Sequence, residues 1–228
     1  MSIIITLYSM TITIGSYLFS RMISKKYGSP LTSPVFLSTV FVIIILLFSH
    51  ISYEEYSLAK EVLTFLLGPA TVALAVPLYK QRKQLLRYLI PACIGLITGT
   101  VSTIFSALFL AKLFQLSDWV MRALSLKSIT IPVASEVAKI IKGDEVLVAA
   151  FVMTTGMIGA MFGPWLMNVI KINDPFSRGL SMGTIAHGIG TAEVVKEGEL
   201  QGAISAVAMG LAAIFTSLII PSIITYLI

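Results

Sequence analysis

Charge is scarce in this chain: only 12% of its 228 residues are Asp, Glu, Lys or Arg, against 57% hydrophobic residues. So little polar surface cannot coat a water-soluble globule of this size, and the mean hydropathy of +0.94 agrees. There is one cysteine, Cys93, inside a charge-free run, which excludes a disulfide framework and reads as a small apolar side chain. Histidine occurs twice, at His50 and His187. The sequence has no G-x-S-x-G elbow, no H-E-x-x-H, no Cys/His metal spacing and no phosphate loop, so enzyme, cofactor and metal readings have no motif to stand on. No cofactor is expected. The net charge of +5 does not indicate nucleic acid, because the cations cluster beside apolar stretches, where the positive-inside rule accounts for them.

What is abundant is uninterrupted apolar chain. Charge-free runs cover Ile3 to Ser20, Tyr27 to Tyr53, Val62 to Tyr79, Tyr88 to Ala111, Val146 to Ile170 and Leu200 to Ile228. Each approaches or exceeds the roughly 20 residues of a spanning helix. The expectation is an all-α integral membrane protein, multi-pass in the cell membrane, with the lipid bilayer as its solvent. Positive charge follows the first run (Arg21, Lys25, Lys26) and no small-residue cleavage site closes it, so it reads as a retained span rather than a signal peptide. Those cations and Lys80, Arg82, Lys83 and Arg87 place the same two connections in the cytoplasm, whereas "SHISYEEYS" reads as an exterior loop.

Two segments break the pattern. "SLKSITIPVASEVAKII" (125–141) carries Lys127, Glu136 and Lys139 around a proline, and "SMGTIAHGIGTAEVV" (181–195) is short, glycine-rich and holds His187 and Glu193. Both read as broken or re-entrant helices, giving seven or eight transmembrane segments in all. Interrupted backbone at membrane depth must line a cavity or bind something, and the free amide ends of half-helices favour anions. "TSPV" (32–35) is similar to "TIPV" (130–133), and "LGPAT" (67–71) to "HGIGT" (187–191), in the same order. An inverted structural repeat with halves 1–115 and 116–228 is therefore expected, the second half holding an insertion about one helix long.

The candidate site residues each carry two readings. His187 meets a substrate carboxylate or carries a proton, or hydrogen-bonds a neighbouring carbonyl between packed helices. Glu136 couples a proton, or pairs with Lys139 one turn along. Ser128, Thr130, Thr71 and Thr191 offer hydroxyls to a carboxylate, or bond their own helix carbonyls; Gly188 and Gly190 let backbone amides approach a ligand. Lys80 and Arg82 anchor a span at the surface. Gly156, Gly159, Ala160 and Gly163 permit close helix packing.

In order over nearly the whole chain, "PLYKQRKQL" (77–85), "KSITIPVASEVAKIIKG" (127–143), "TTGMIGAMFGP" (154–164), "DPFSRGLSMGTIAHGIGTA" (174–192) and "EGELQGAISAVAMGLAAIFTSLIIP" (197–221) resemble the LrgB/CidB family of bacterial membrane proteins. The resemblance implies one LrgB-like transmembrane domain over 1–228 and a small LrgA/CidA-like membrane partner. It implies one of two functions. The first is carriage of small carboxylates, pyruvate in bacteria or glycolate and glycerate in the plant plastid envelope; with His187 and Glu136 the expectation is a proton-coupled secondary transporter. The second is a holin/antiholin-like effect on murein hydrolases and autolysis. A homo-oligomer, a dimer, is expected. Glu193 stands where many members are expected to carry a basic residue, so no charge role is assigned to it.

Overall fold

The computed structural model describes residues 2–27, 29–66, 69, 79–80 and 82–228. All regular structure among them is helical, and the chain divides into two compact units, Met1–Val76 and Pro77–Ile228.

In the first unit, α1 (Ser2–Lys26) is long and apolar and ends on Lys25 and Lys26, cations placed at the negative end of the helix dipole. A 3-10 turn (Pro30–Thr32) leads to α2 (Pro34–Phe48), and α3 (Tyr53–Phe65) follows; both α2 and α3 pack on α1. The expected exterior loop "SHISYEEYS" instead starts α3. Ser52 accepts from the Glu55 amide while the Glu55 carboxylate accepts from the Ser52 amide at 2.8 Å, a capping box that satisfies both free donors. The second apolar run yields only the 15 residues of α2, short of a full crossing.

The second unit opens with the short helix α4 (Arg82–Arg87) and contains three long apolar helices, α5 (Leu89–Leu113), α8 (Glu145–Val169) and α10 (Glu199–Leu227). With α1, these are the four helices, among the described residues, long and apolar enough to cross a membrane. Between them lie two helical hairpins. The first consists of α6 (Asp118–Ser125) and α7 (Ile131–Ile140), joined by Leu126 to Thr130. Its foot is closed by Arg122, whose guanidinium donates to the Ile141 carbonyl nineteen residues on.

The second hairpin is α9 (Pro175–Val194), which is broken at His187, where φ is 41° and ψ −135°. Contacts show that the chain reverses there. A Cβ on Gly190 would lie 2.9 Å from the Met182 carbonyl oxygen, although eight residues of straight helix span about 12 Å. Met182 and Val194 share one apolar cluster, and Arg178 is bonded to Glu197. The first limb runs antiparallel to α8, with Ala186 against Gly159 and Met182 against Gly163, while the second limb runs antiparallel to α10, with Val195 against Gly202 and Thr191 against Ser205. Gly156, Gly159 and Gly163 thus serve the close packing read from their spacing.

Because α8 is a single 25-residue helix, about 37 Å long, the two hairpins start from its opposite ends. The two segments expected to be interrupted, 125–141 and 181–195, are parts of these two hairpins. The first motif pair of the expected repeat, "TSPV" and "TIPV", marks helix starts in both places: Pro34 opens α2 and Pro132 lies in the first turn of α7. Of the second pair, Leu67, Gly68, Ala70 and Thr71 lie outside the described residues.

Candidate functional site

The tip of the first hairpin is polar. Lys127 Nζ donates to Thr103 Oγ1 of α5 at 2.7 Å and to Ser128 Oγ at 3.2 Å, and the two hydroxyls are 3.3 Å apart. Thr130 is the N-cap of α7, yet its side chain makes no capping hydrogen bond. The Ala134 amide is satisfied by the Thr130 carbonyl and Pro132 has no N–H, so the Ile131 and Val133 amides are the first-turn donors without an intrahelical acceptor. Buried hydrophobic residues of this hairpin, including Leu126, Ile129 and Ala134, form a cluster with Val148 and Val152 of α8.

His187 is the tip of the second hairpin and is buried. Its Nε2 lies 3.0 Å from the Val152 carbonyl oxygen. Since a carbonyl only accepts, Nε2 carries the hydrogen, and in the neutral ring Nδ1 is left as an acceptor. The ring also fills the space above Gly156, where a Cβ would come within 2.6 Å of Cε1. Val152 therefore contributes its side chain to the cluster of the first hairpin and its carbonyl to the tip of the second, so α8 is the element common to both tips.

Thr191 donates to the His187 carbonyl at 2.8 Å and sits 2.8 Å from Ser205 Oγ. Its hydroxyl thus takes the local role of tying down the break. Gly188 and Gly190 do not carry the unusual dihedrals; among the described residues no glycine is in the left-handed region, and His187 itself supplies the reversal. Gly190 instead lets the two limbs touch.

Glu136 lies elsewhere. Its carboxylate accepts from Lys139 at 2.7 Å, with 71% of the side chain exposed, and Lys139 also lies 3.8 Å from Glu145 at the start of α8. Glu145 is seven residues, about 10 Å of helix, from Val152, so the structure does not bring Glu136 to His187. Glu193 pairs with Lys196 at 2.6 Å. Lys80 is in a described helical position, and the Arg82 guanidinium lies over the Tyr79 ring and donates to the Tyr79 carbonyl. Thr71 lies outside the described residues. Among the described residues no cluster of three His, Cys, Asp or Glu side chains could hold a metal ion.

Two features were not picked out from sequence. One is the Lys127–Thr103–Ser128 cluster: Lys127 was visible as a cation in an otherwise apolar stretch, but Thr103 is a helix away. The other is Arg178, which forms a two-pronged bond to Glu197, each prong 2.6 Å, and donates to Asn168 Oδ1 and the Ile172 carbonyl, each at 2.9 Å. It closes the foot of the second hairpin, as Arg122 closes the first.

A family model, the LrgB-like family, matches residues 13–226. The chain belongs to the LrgB-like family. Among relatives of this LrgB-like chain, the uncharacterized protein YwbG of Bacillus subtilis is 32% identical over 223 residues, 98% of this chain and 99% of that one. The holin-like protein CidB of Staphylococcus epidermidis is 32% identical over 210 residues, 92% of each. The antiholin-like protein LrgB of Bacillus subtilis is 32% identical over 208 residues, 91% of this chain and 88% of that one. No solved structure matches.

Proposed function

We propose that this LrgB-like membrane protein is a secondary carrier of a small carboxylate in the cell membrane. The observation that supports it is the pair of hairpins starting from opposite ends of α8, with polar tips on one shared helix. Such an arrangement suits alternating access: each hairpin closes one side, and a substrate at the tips is reached from either side as one hairpin shifts. Ser128, Thr130 and Thr103 provide hydroxyls, and the first turn of α7 provides amides. His187 is the better candidate for a coupled proton than Glu136, because its ring lies at a tip with Nδ1 available as an acceptor, while Glu136 is exposed and paired with Lys139. A small LrgA/CidA-like partner and self-association as a dimer belong to the same proposal.

A second reading is a holin- or antiholin-like protein influencing murein hydrolases; the holin-like CidB and antiholin-like LrgB relatives favour its holin/antiholin character over carriage. A lesion would need an amphipathic lining, and α5, α8 and α10 are apolar over their length.

Uptake of labelled pyruvate, with glycolate as competitor, into cells lacking their own carriers separates the two. The carrier reading expects saturable uptake, steeper with an inward proton gradient and reduced at least about tenfold by His187→Ala at equal protein level. Leakage of unrelated solutes without saturation, and no pyruvate uptake with or without the small partner, would overturn it in favour of the second reading.

A further inference from the structure

We infer that Lys127 is the counter-charge of the binding site and that it selects an anion of single charge, a small monocarboxylate, over dianions and neutral solutes; this rests on the reading that the hairpin tips are the substrate site. Three observations carry it. First, the ammonium is half-buried and lies at membrane depth. Thr103, which it touches, lies ten residues before the end of α5, about 15 Å along a helix of about 37 Å, close to the middle of a hydrocarbon core of about 30 Å.

Second, its protein partners are neutral. An ammonium has three donors, and the two bonds it makes go to the hydroxyls of Thr103 and Ser128. Among the described residues no carboxylate pairs with it, whereas Lys139, Arg178 and Lys196 each have one. A cation at this depth is costly unless paired or wet, and an arriving anion supplies the missing partner.

Third, the surroundings are arranged for oxygen atoms of an anion. Thr130 leaves its hydroxyl out of capping, and the Ile131 and Val133 amides point the positive end of the ten-residue α7 towards the same tip. One full positive charge, two amides and three hydroxyls match one carboxylate with an adjacent oxygen. A second carboxylate would bring a second negative charge with no counter-charge beside it.

The test uses the full chain, purified in detergent and also reconstituted in liposomes. Binding of pyruvate, lactate, glycolate and acetate is read as the shift of the thermal unfolding midpoint, with succinate as the dianion and glycerol as the neutral solute; pyruvate counterflow is read in the liposomes. Expected are saturable shifts with the monocarboxylates, weaker ones with succinate, and none with glycerol. Lys127→Gln weakens monocarboxylate binding by more than about tenfold, while Lys127→Arg retains most of it. If Lys127→Gln does not fold, Thr103→Val, which removes a partner of the ammonium and keeps its charge, should weaken binding severalfold and so stands in for it.

Monocarboxylate shifts lost in Lys127→Gln, without counterflow by the wild type, would uphold the site and overturn the carrier. Counterflow and binding unchanged in Lys127→Gln would uphold the carrier and overturn this inference. Absence of any monocarboxylate shift in the wild type, or equal shifts with succinate, would also overturn it.

Discussion

His187 combines two properties that are individually uncommon. A β-carbon is poorly tolerated at φ 41° and ψ −135°, and a buried imidazole needs a partner, which the Val152 carbonyl provides. The position is therefore held by its neighbours, Gly156 above all. Gly156→Ala should drive a methyl into the ring and destabilise the protein by about 1–3 kcal/mol, read as a lowered unfolding midpoint, whereas Gly210→Ala, with nothing within 4 Å of the added carbon, should leave it unchanged. Sequence exposed the location of the break, because a histidine among Gly183, Gly188 and Gly190 does not read as an ordinary apolar span. It did not expose which residue turns. The glycines read as room for backbone amides, but Gly183 lies against the Ser205 backbone and Gly190 against Met182, so they serve close approach and the reversal falls to His187.

Each hairpin is an element closed at its foot by an arginine. For the second, Glu197→Gln removes the charge that faces the buried Arg178 guanidinium. Loss of that charge-assisted pair should cost about 1–3 kcal/mol, seen as faster amide exchange over 175–194 than over α8. The same element begins on Asp174, whose carboxylate accepts from the Ser177 amide and hydroxyl at 2.8 and 2.7 Å. These bonds hold its pKa below the ordinary aspartate value. Its contribution is consequently complete above the unfolded-state pKa and is lost as pH falls through the lower folded-state value. Asp174→Ala should lower stability near neutral pH by at most about 1 kcal/mol, and the difference should vanish in strong acid. The composition of both hairpins was legible, since charge and proline interrupt apolar chain. Their closure was not, because bonds such as Arg122 to Ile141 and Arg178 to Glu197 join residues nineteen apart, a separation that no helical period marks.

At the scale of the molecule, hairpins that turn back make a prediction about sidedness. In a Cys93→Ser background, single cysteines at Asp174 and Glu197 should be labelled from one side of the membrane, and one at Lys142 from the other. Labelling of 174 and 197 from opposite sides would mean that α9 crosses. Apolar run length located α1, α5, α8 and α10 well, because a continuous charge-free stretch near 20 residues has few other fates. It did not locate the helix that starts at Tyr53, where the capping box of Ser52 and Glu55 and the two first-turn glutamates favour a helix start.

Arg178 also bears on how the chain is made. Its partners stand at 168, 172 and 197, and the last of them leaves the ribosome nineteen residues after Arg178 itself. Until Glu197 and α10 have been synthesised, the second hairpin holds an unmatched guanidinium and a glycine-lined face with nothing against it. Lipid offers neither a carboxylate nor a close-fitting surface. The closed hairpin, seated between α8 and α10, can therefore form only after Glu197 and α10 have been made. Chains cut short before Glu197 would expose an open wound at this point for membrane proteases to recognise.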